Sequence, residues 1–74
     1  MSDTHHGRVA GFDEARGLGE VEERDGRRYP FHCTAIADGT RRIAPGTAVV
    51  FDVVAGPLGR PEAAALRPDP RPRA

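Results

Sequence analysis

The dipeptide Asp25-Gly26 constrains this 74-residue chain more than any other feature. It stands among charged residues and an apolar run opens at Tyr29, so two extended segments are expected to be joined by a tight turn. Upstream, Gly17 to Glu22 alternates with period two, placing Leu18, Glu20 and Glu22 on one face and Gly19 and Val21 on the other. Downstream, Tyr29 and Phe31 point one way and Pro30 and His32 the other, with Pro30 lacking a donor for a full ladder. A hairpin of a second and third strand is therefore the seed of the fold.

The rest of the chain is read against that hairpin. Gly7 to Asp13 is a weak first strand whose simple alternation sends Val9 inward and Arg8, Ala10 and Phe12 outward, and Asp13-Glu14-Ala15 turns the chain. Thr34 to Ile36 is expected to make one helical turn, followed by a long loop from Ala37 to Thr47. Ala48 to Ala55 is rich in β-branched residues and bracketed by turn signals, so it is the clearest strand, with Val49, Phe51 and Val53 opposite Asp52. Glu62 to Leu66 has helical propensity, but prolines isolate it and a helix of five residues is not stable alone, so it is read as a fifth strand covering an edge. Five short strands without a long helical pattern predict an all-β antiparallel barrel or open sheet. The organisation expected is a flexible start over 1–6, one domain over 7–67 and a disordered proline- and arginine-rich tail over 68–74.

Composition narrows the function classes. A chain of this size builds one small core and no large enzyme cleft. The single cysteine allows no internal disulfide, and nothing resembles an apolar signal or a spanning helix, so a cytoplasmic protein without a membrane partner is expected. Adjacent His5 and His6 lack further ligands at a defined spacing, Ser2 is the only serine, and no glycine-rich loop carries a lysine; no catalytic residue, metal site or cofactor is assigned. Cys33 beside His32 is read as a small apolar residue, not a nucleophile. Eleven arginines balance eleven carboxylates, so any attraction to phosphate must come from local arrangement. Glu20, Glu22 and Glu23 are read as a solvated acidic edge.

One segment points further. Arg16-Gly17-Leu18-Gly19-Glu20-Val21 has the basic residue, two glycines and valine of an RNA-binding strand, with leucine and glutamate where that pattern carries aromatics. The order of elements extends the likeness. Gly7-Arg8-Val9, Phe12-Asp13, Arg16-Gly17-x-Gly19, Asp25-Gly26, His32 with Thr34-Ala35-Ile36, Asp38-Gly39, Gly46, Val49-x-Phe51, Gly56-Pro57-x-Gly59 and Pro61-x-Ala63-Ala64 occur in sequence. The stretch from Gly7 to Arg67 thereby resembles a bacterial cold-shock protein, a five-stranded antiparallel OB-fold barrel that binds single-stranded RNA and DNA.

The resemblance implies a stacking platform on the outer face of strands one to three. Carried over by position, the platform's basic residue is Arg16, and Phe12 and His32 are kept as rings. The family's tryptophan falls on Gly11, the second-strand aromatics on Leu18 and Glu20, and the third-strand aromatics on Pro30 and Cys33. Tyr29 and Phe31 take the places of inward valines. A base stacked on an aromatic contributes roughly 1 to 3 kcal/mol, so this loss is expected to weaken binding by about a thousandfold or more. Arginine offers partial compensation by stacking and by bidentate pairing with phosphate, with Arg8, Arg16, Arg28, Arg41, Arg42 and Arg60 as candidates. The expected activity is weak, sequence-tolerant binding of single-stranded RNA or DNA by a monomer. The alternative is a barrel that has lost this activity and meets a protein partner through Leu18, Val50, Val54 and the acidic run Glu20 to Glu23. A positive outer face favours the first and one of mixed sign the second.

Overall fold

The computed structural model describes residues 4–37, 39, 42–56 and 59–70. Its strands are β1 (Thr4–Asp13), β2 (Leu18–Glu23), β3 (Arg28–His32), β4 (Ala48–Ala55) and β5 (Pro61–Pro68), with a 3₁₀ turn at Cys33–Ala35 after β3. They form one antiparallel sheet in the order β3-β2-β1-β4-β5. A parallel bridge joins Ile36 to Leu66, and the Ala37 N–H donates to the Leu66 carbonyl at 2.7 Å, so the segment leaving β3 is tied to β5. Among the described residues no helix is long and apolar enough to cross a membrane.

The hairpin at Asp25-Gly26 forms for the anticipated reason. Gly26 has φ of 93°, a region that disfavours a Cβ, and the Asp25 carboxylate accepts from the Arg27 N–H at 2.9 Å. At the β1–β2 connection the Asp13 carboxylate accepts from the N–H groups of Ala15 and Arg16 at 3.0 and 3.3 Å.

The core is Val9, Val21, Tyr29, Phe31, Ile36, Val49, Phe51, Ala63 and Leu66. Each large side chain removed from water here contributes about 1.5–3 kcal/mol. Tyr29, Phe31 and Phe51 supply the aromatic part of it: Tyr29 packs on Phe51 at a ring separation of 5.9 Å, and Phe31 is only 2% exposed. Arg27 caps this group from outside. Its guanidinium is held above its usual range, first by a hydrogen bond with Tyr29 and then by the Asp25 carboxylate.

Several expectations need correction. The start of the chain is not frayed from Thr4 onward: Thr4, His5 and His6 pair with Asp52, Phe51 and Val50 of β4. His5 turns inward, stacks on Phe51 at 5.6 Å and pairs with Glu23 at 2.8 Å, so Glu23 does not belong to a solvated edge. β5 extends to Pro68, one residue into the expected tail, and contains a bulge at which Ala65 takes φ of 52°. Val50 is 6% exposed and so is not an open apolar residue of the outer face.

The correction that matters most for function lies in β1. A bulge falls between Val9 and Gly11, so Ala10 is the extra residue and the alternation changes phase. Arg8 and His6 face outward before it, Gly11 and Asp13 after it, and Phe12 enters the inward row with Val9.

Candidate nucleic-acid interface

Two adjacent cross-strand rows define the site. The inward row runs Phe12, Gly19, Phe31 across β1, β2 and β3. The rings of Phe12 and Phe31 stack at 5.8 Å with their planes 8° apart. Gly19 lies between them because a Cβ there would stand 2.5 Å from Phe31 Cζ and 2.8 Å from Phe12 Cδ1. Phe12 is therefore half-buried, one ring face spent on the core. Its remaining edge lines a recess of about 350 Å³ with Ile43, Ala44 and Pro45.

The outward side carries three rows. The first is Asp13, Leu18, His32; the second Gly11, Glu20, Pro30; the third Arg8, Glu22, Arg28. Leu18 is 47% exposed and directly opposite His32. His32 is fixed by its own turn: Nδ1 accepts from the Thr34 N–H at 3.2 Å, capping the 3₁₀ turn, and the residue is exposed. The predicted pair of Phe12 and His32 is not brought together on one face. Leu18 and His32 are.

The cations are distributed differently from the expectation as well. Arg28 donates to Glu20 at 3.0 Å and lies 3.6 Å from Glu22, so its charge is answered by two carboxylates. Arg8 donates to the Gly46 carbonyl at 3.0 Å. Arg16, on the β1–β2 turn next to Leu18, is the loosest, 3.9 Å from Asp13 with its side chain 77% exposed. Arg42 pairs with Glu14 at 2.9 Å at the rim of the Phe12 recess, and Arg41 lies outside the described residues. Arg60 immediately precedes β5, the strand that packs against β3 and is tied to the segment after β3 by the Ile36–Leu66 bridge. With Asp13, Glu20 and Glu22 set against Arg8, Arg16 and Arg28, the outer face of β1–β3 is mixed in sign. The Glu20–Arg28–Glu22 cluster went unnoticed in the sequence, although cross-strand register makes these three neighbours as soon as the hairpin is drawn.

Gly11 shows what has gone from this face. It points outward in the middle row, and nothing lies within 4 Å of where its Cβ would be. A side chain at this position would start into open space.

A five-stranded antiparallel sheet with this element order and this outward platform is the architecture of a cold-shock domain. The cold shock-like protein CspC of Bacillus cereus is 41% identical over 59 residues, covering 78% of this chain and 89% of the relative. A second Bacillus cereus CspC sequence gives the same figures. The chain belongs to the cold-shock protein family. No family model matches it.

Proposed function

We propose that the chain is a small, non-catalytic module that binds single-stranded RNA or DNA weakly and with little sequence preference, in the manner of an RNA chaperone or regulator. The sheet is read as an OB-type barrel acting as a cytoplasmic monomer. Leu18 and His32 supply the contact to bases, Arg16 and Arg8 reach the phosphates, and the exposed edge of Phe12 takes a base only at the margin of the platform. Arg28 contributes little while Glu20 and Glu22 hold it, and Arg60, at the entry to β5, is a further candidate for phosphate contact.

The observation that supports this reading is the exposed Leu18–His32 pair in cross-strand register, at two positions that the resemblance assigns to the stacking face. The mixed sign of that face favours the second reading, a surface for a protein partner. Fluorescence anisotropy of a labelled pyrimidine-rich single strand, repeated at rising salt, separates the two. Binding in the high-micromolar range or tighter that weakens with salt and is reduced by the Leu18→Ala/His32→Ala double variant supports the first. No binding at low salt, or binding indifferent to that double variant, rejects it.

A further inference from the structure

At the other end of the same outer face the register assembles a second group of side chains. His6 pairs with Val50, and Val50 pairs with Arg67 of β5. The Arg24 N–H donates to the His6 carbonyl, which places Arg24 beside His6 in phase with Leu18, Glu20 and Glu22. Arg24, His6, Val50 and Arg67 thus form one row running across β1, β4, β5 and the end of β2. Together with Pro68 they line a cleft of about 560 Å³, about 20 Å along β1 from the Leu18 row.

The chemistry of the cleft is specific. Pro68 gives it an apolar wall with the nearly covered Val50 beneath, and Arg24 and Arg67 both line it. Arg67 is anchored, its Nη1 donating to the Ala65 carbonyl at 2.6 Å across the bulge where Ala65 is left-handed, so part of the cost of ordering it is already met by the fold. The one carboxylate in the lining, Asp69, is turned onto His6 at 3.3 Å with its side chain 11% exposed. Arg24 and Arg67 therefore leave the cleft with a net positive charge, whereas the β1–β3 face is balanced.

We propose that this cleft binds one nucleoside monophosphate unit, with the phosphate taken by Arg24 and Arg67 and the base against Pro68, flanked by the His6 ring. Guanidinium groups pair with phosphate oxygens and stack on bases, and the site offers both contacts to one unit. The unit comes either from a free mononucleotide or from a strand that continues past the platform, in which case the inference rests on the function proposed above.

The test follows backbone amides of the whole chain by NMR while uridine monophosphate, or an oligouridine of eight residues, is added. It is run on the unaltered chain, on Arg24→Glu, which changes an exposed side chain, and on Arg67→Gln. Shifts at His6, Arg24, Val50 and Arg67 that shrink about tenfold in apparent affinity in both variants, the worth of one charge-assisted hydrogen bond, support the proposal. Cleft shifts with the free nucleotide identify it as a source; cleft shifts with the oligomer alone identify the strand. Cleft shifts without shifts at Leu18 and His32 sustain the cleft while rejecting the platform reading. Silence at the cleft with both probes overturns the proposal whatever the platform does, and so do cleft shifts that Arg24→Glu leaves unchanged.

Discussion

Two rows one residue apart in β1 to β3 have opposite characters. Phe12, Gly19 and Phe31 form a tight inward row in which two rings stack over a glycine. Gly11, Glu20 and Pro30 form an open outward row in which a ring would find nothing in its way at Gly11 and a carboxylate and a proline next door. The resemblance read from the sequence implies rings on the outside of these strands, whereas the rings of these rows lie on the inside. A ring facing the core works in the free protein, where it helps hold a small domain together. A ring on the platform contributes only when a base arrives. The comparison therefore teaches that the rings of these strands serve the stability of the free domain.

The largest test of that division is Phe31→Ala. Removing a fully buried phenylalanine costs about 3–5 kcal/mol, which is comparable to the whole stability expected of a domain this small. The expected result is loss of the cooperative urea transition followed by circular dichroism. Pro30→Ala, one residue away on the outward row, is expected to stay within about 0.5 kcal/mol of the parent chain. Similar effects at the two positions would erase the contrast between the rows.

The next effect restores what the outward row lacks. Gly11→Trp and Glu20→Phe each return a ring to a platform position, and each is expected to tighten single-strand binding by roughly tenfold, the effect of one stacked base. Glu20→Phe also removes a carboxylate that repels phosphate. Anisotropy with the pyrimidine-rich strand measures both, and quenching of the new indole in Gly11→Trp on addition of strand reports contact directly. An affinity unchanged in both variants would mean that nucleic acid does not travel over this face.

Much of the fold was legible because it rests on local rules. Asp25-Gly26 set the hairpin register, the β-branched run set β4 from Ala48 to Ala55, and the prolines around Glu62 to Leu66 argued for a strand against the propensity of its alanines. The site was read less well, and the reason is the phase of β1. Val9-Ala10-Gly11 offers one branched residue followed by two small ones, so period two has nothing bulky to mark where the alternation slips. The bulge there puts Phe12 inside, although strict alternation sends it outside with Arg8. Ion pairing across strands was hidden for a related cause. Arg28 is next to Arg27 in sequence and next to Glu20 and Glu22 in space, and only the assembled register chooses between these descriptions.

A smaller effect separates the two rings assigned to the site. Phe12→Ala is expected to lower stability by about 2 kcal/mol, the low end for a buried large residue because part of this one is already in water. His32→Ala removes a cap and is expected to cost about 1 kcal/mol. Binding orders them the other way, with His32→Ala losing more affinity than Phe12→Ala when each is compared at a temperature where both are folded. A greater loss of affinity in Phe12→Ala would place the working surface at the recess beside Ile43 and away from the Leu18–His32 pair.

The smallest effect concerns the charges between the two rows of function. Arg28 faces Glu20 and Glu22 on an exposed surface, where such pairs contribute about 1 kcal/mol or less, so Glu20→Gln is expected to leave the urea midpoint nearly unchanged. Its consequence for nucleic acid is larger than its consequence for folding, because loss of one carboxylate leaves Arg28 answered by Glu22 alone and turns a balanced face positive by one charge. Affinity for the single strand is expected to rise about twofold to threefold at low salt, and the slope of log affinity against log salt to steepen by up to about 0.7, the release expected for one further phosphate contact on a single strand. A higher affinity with an unaltered slope would attribute the gain to the base and not to the backbone, and would show that Arg28 stays bound to Glu22 when the strand is present.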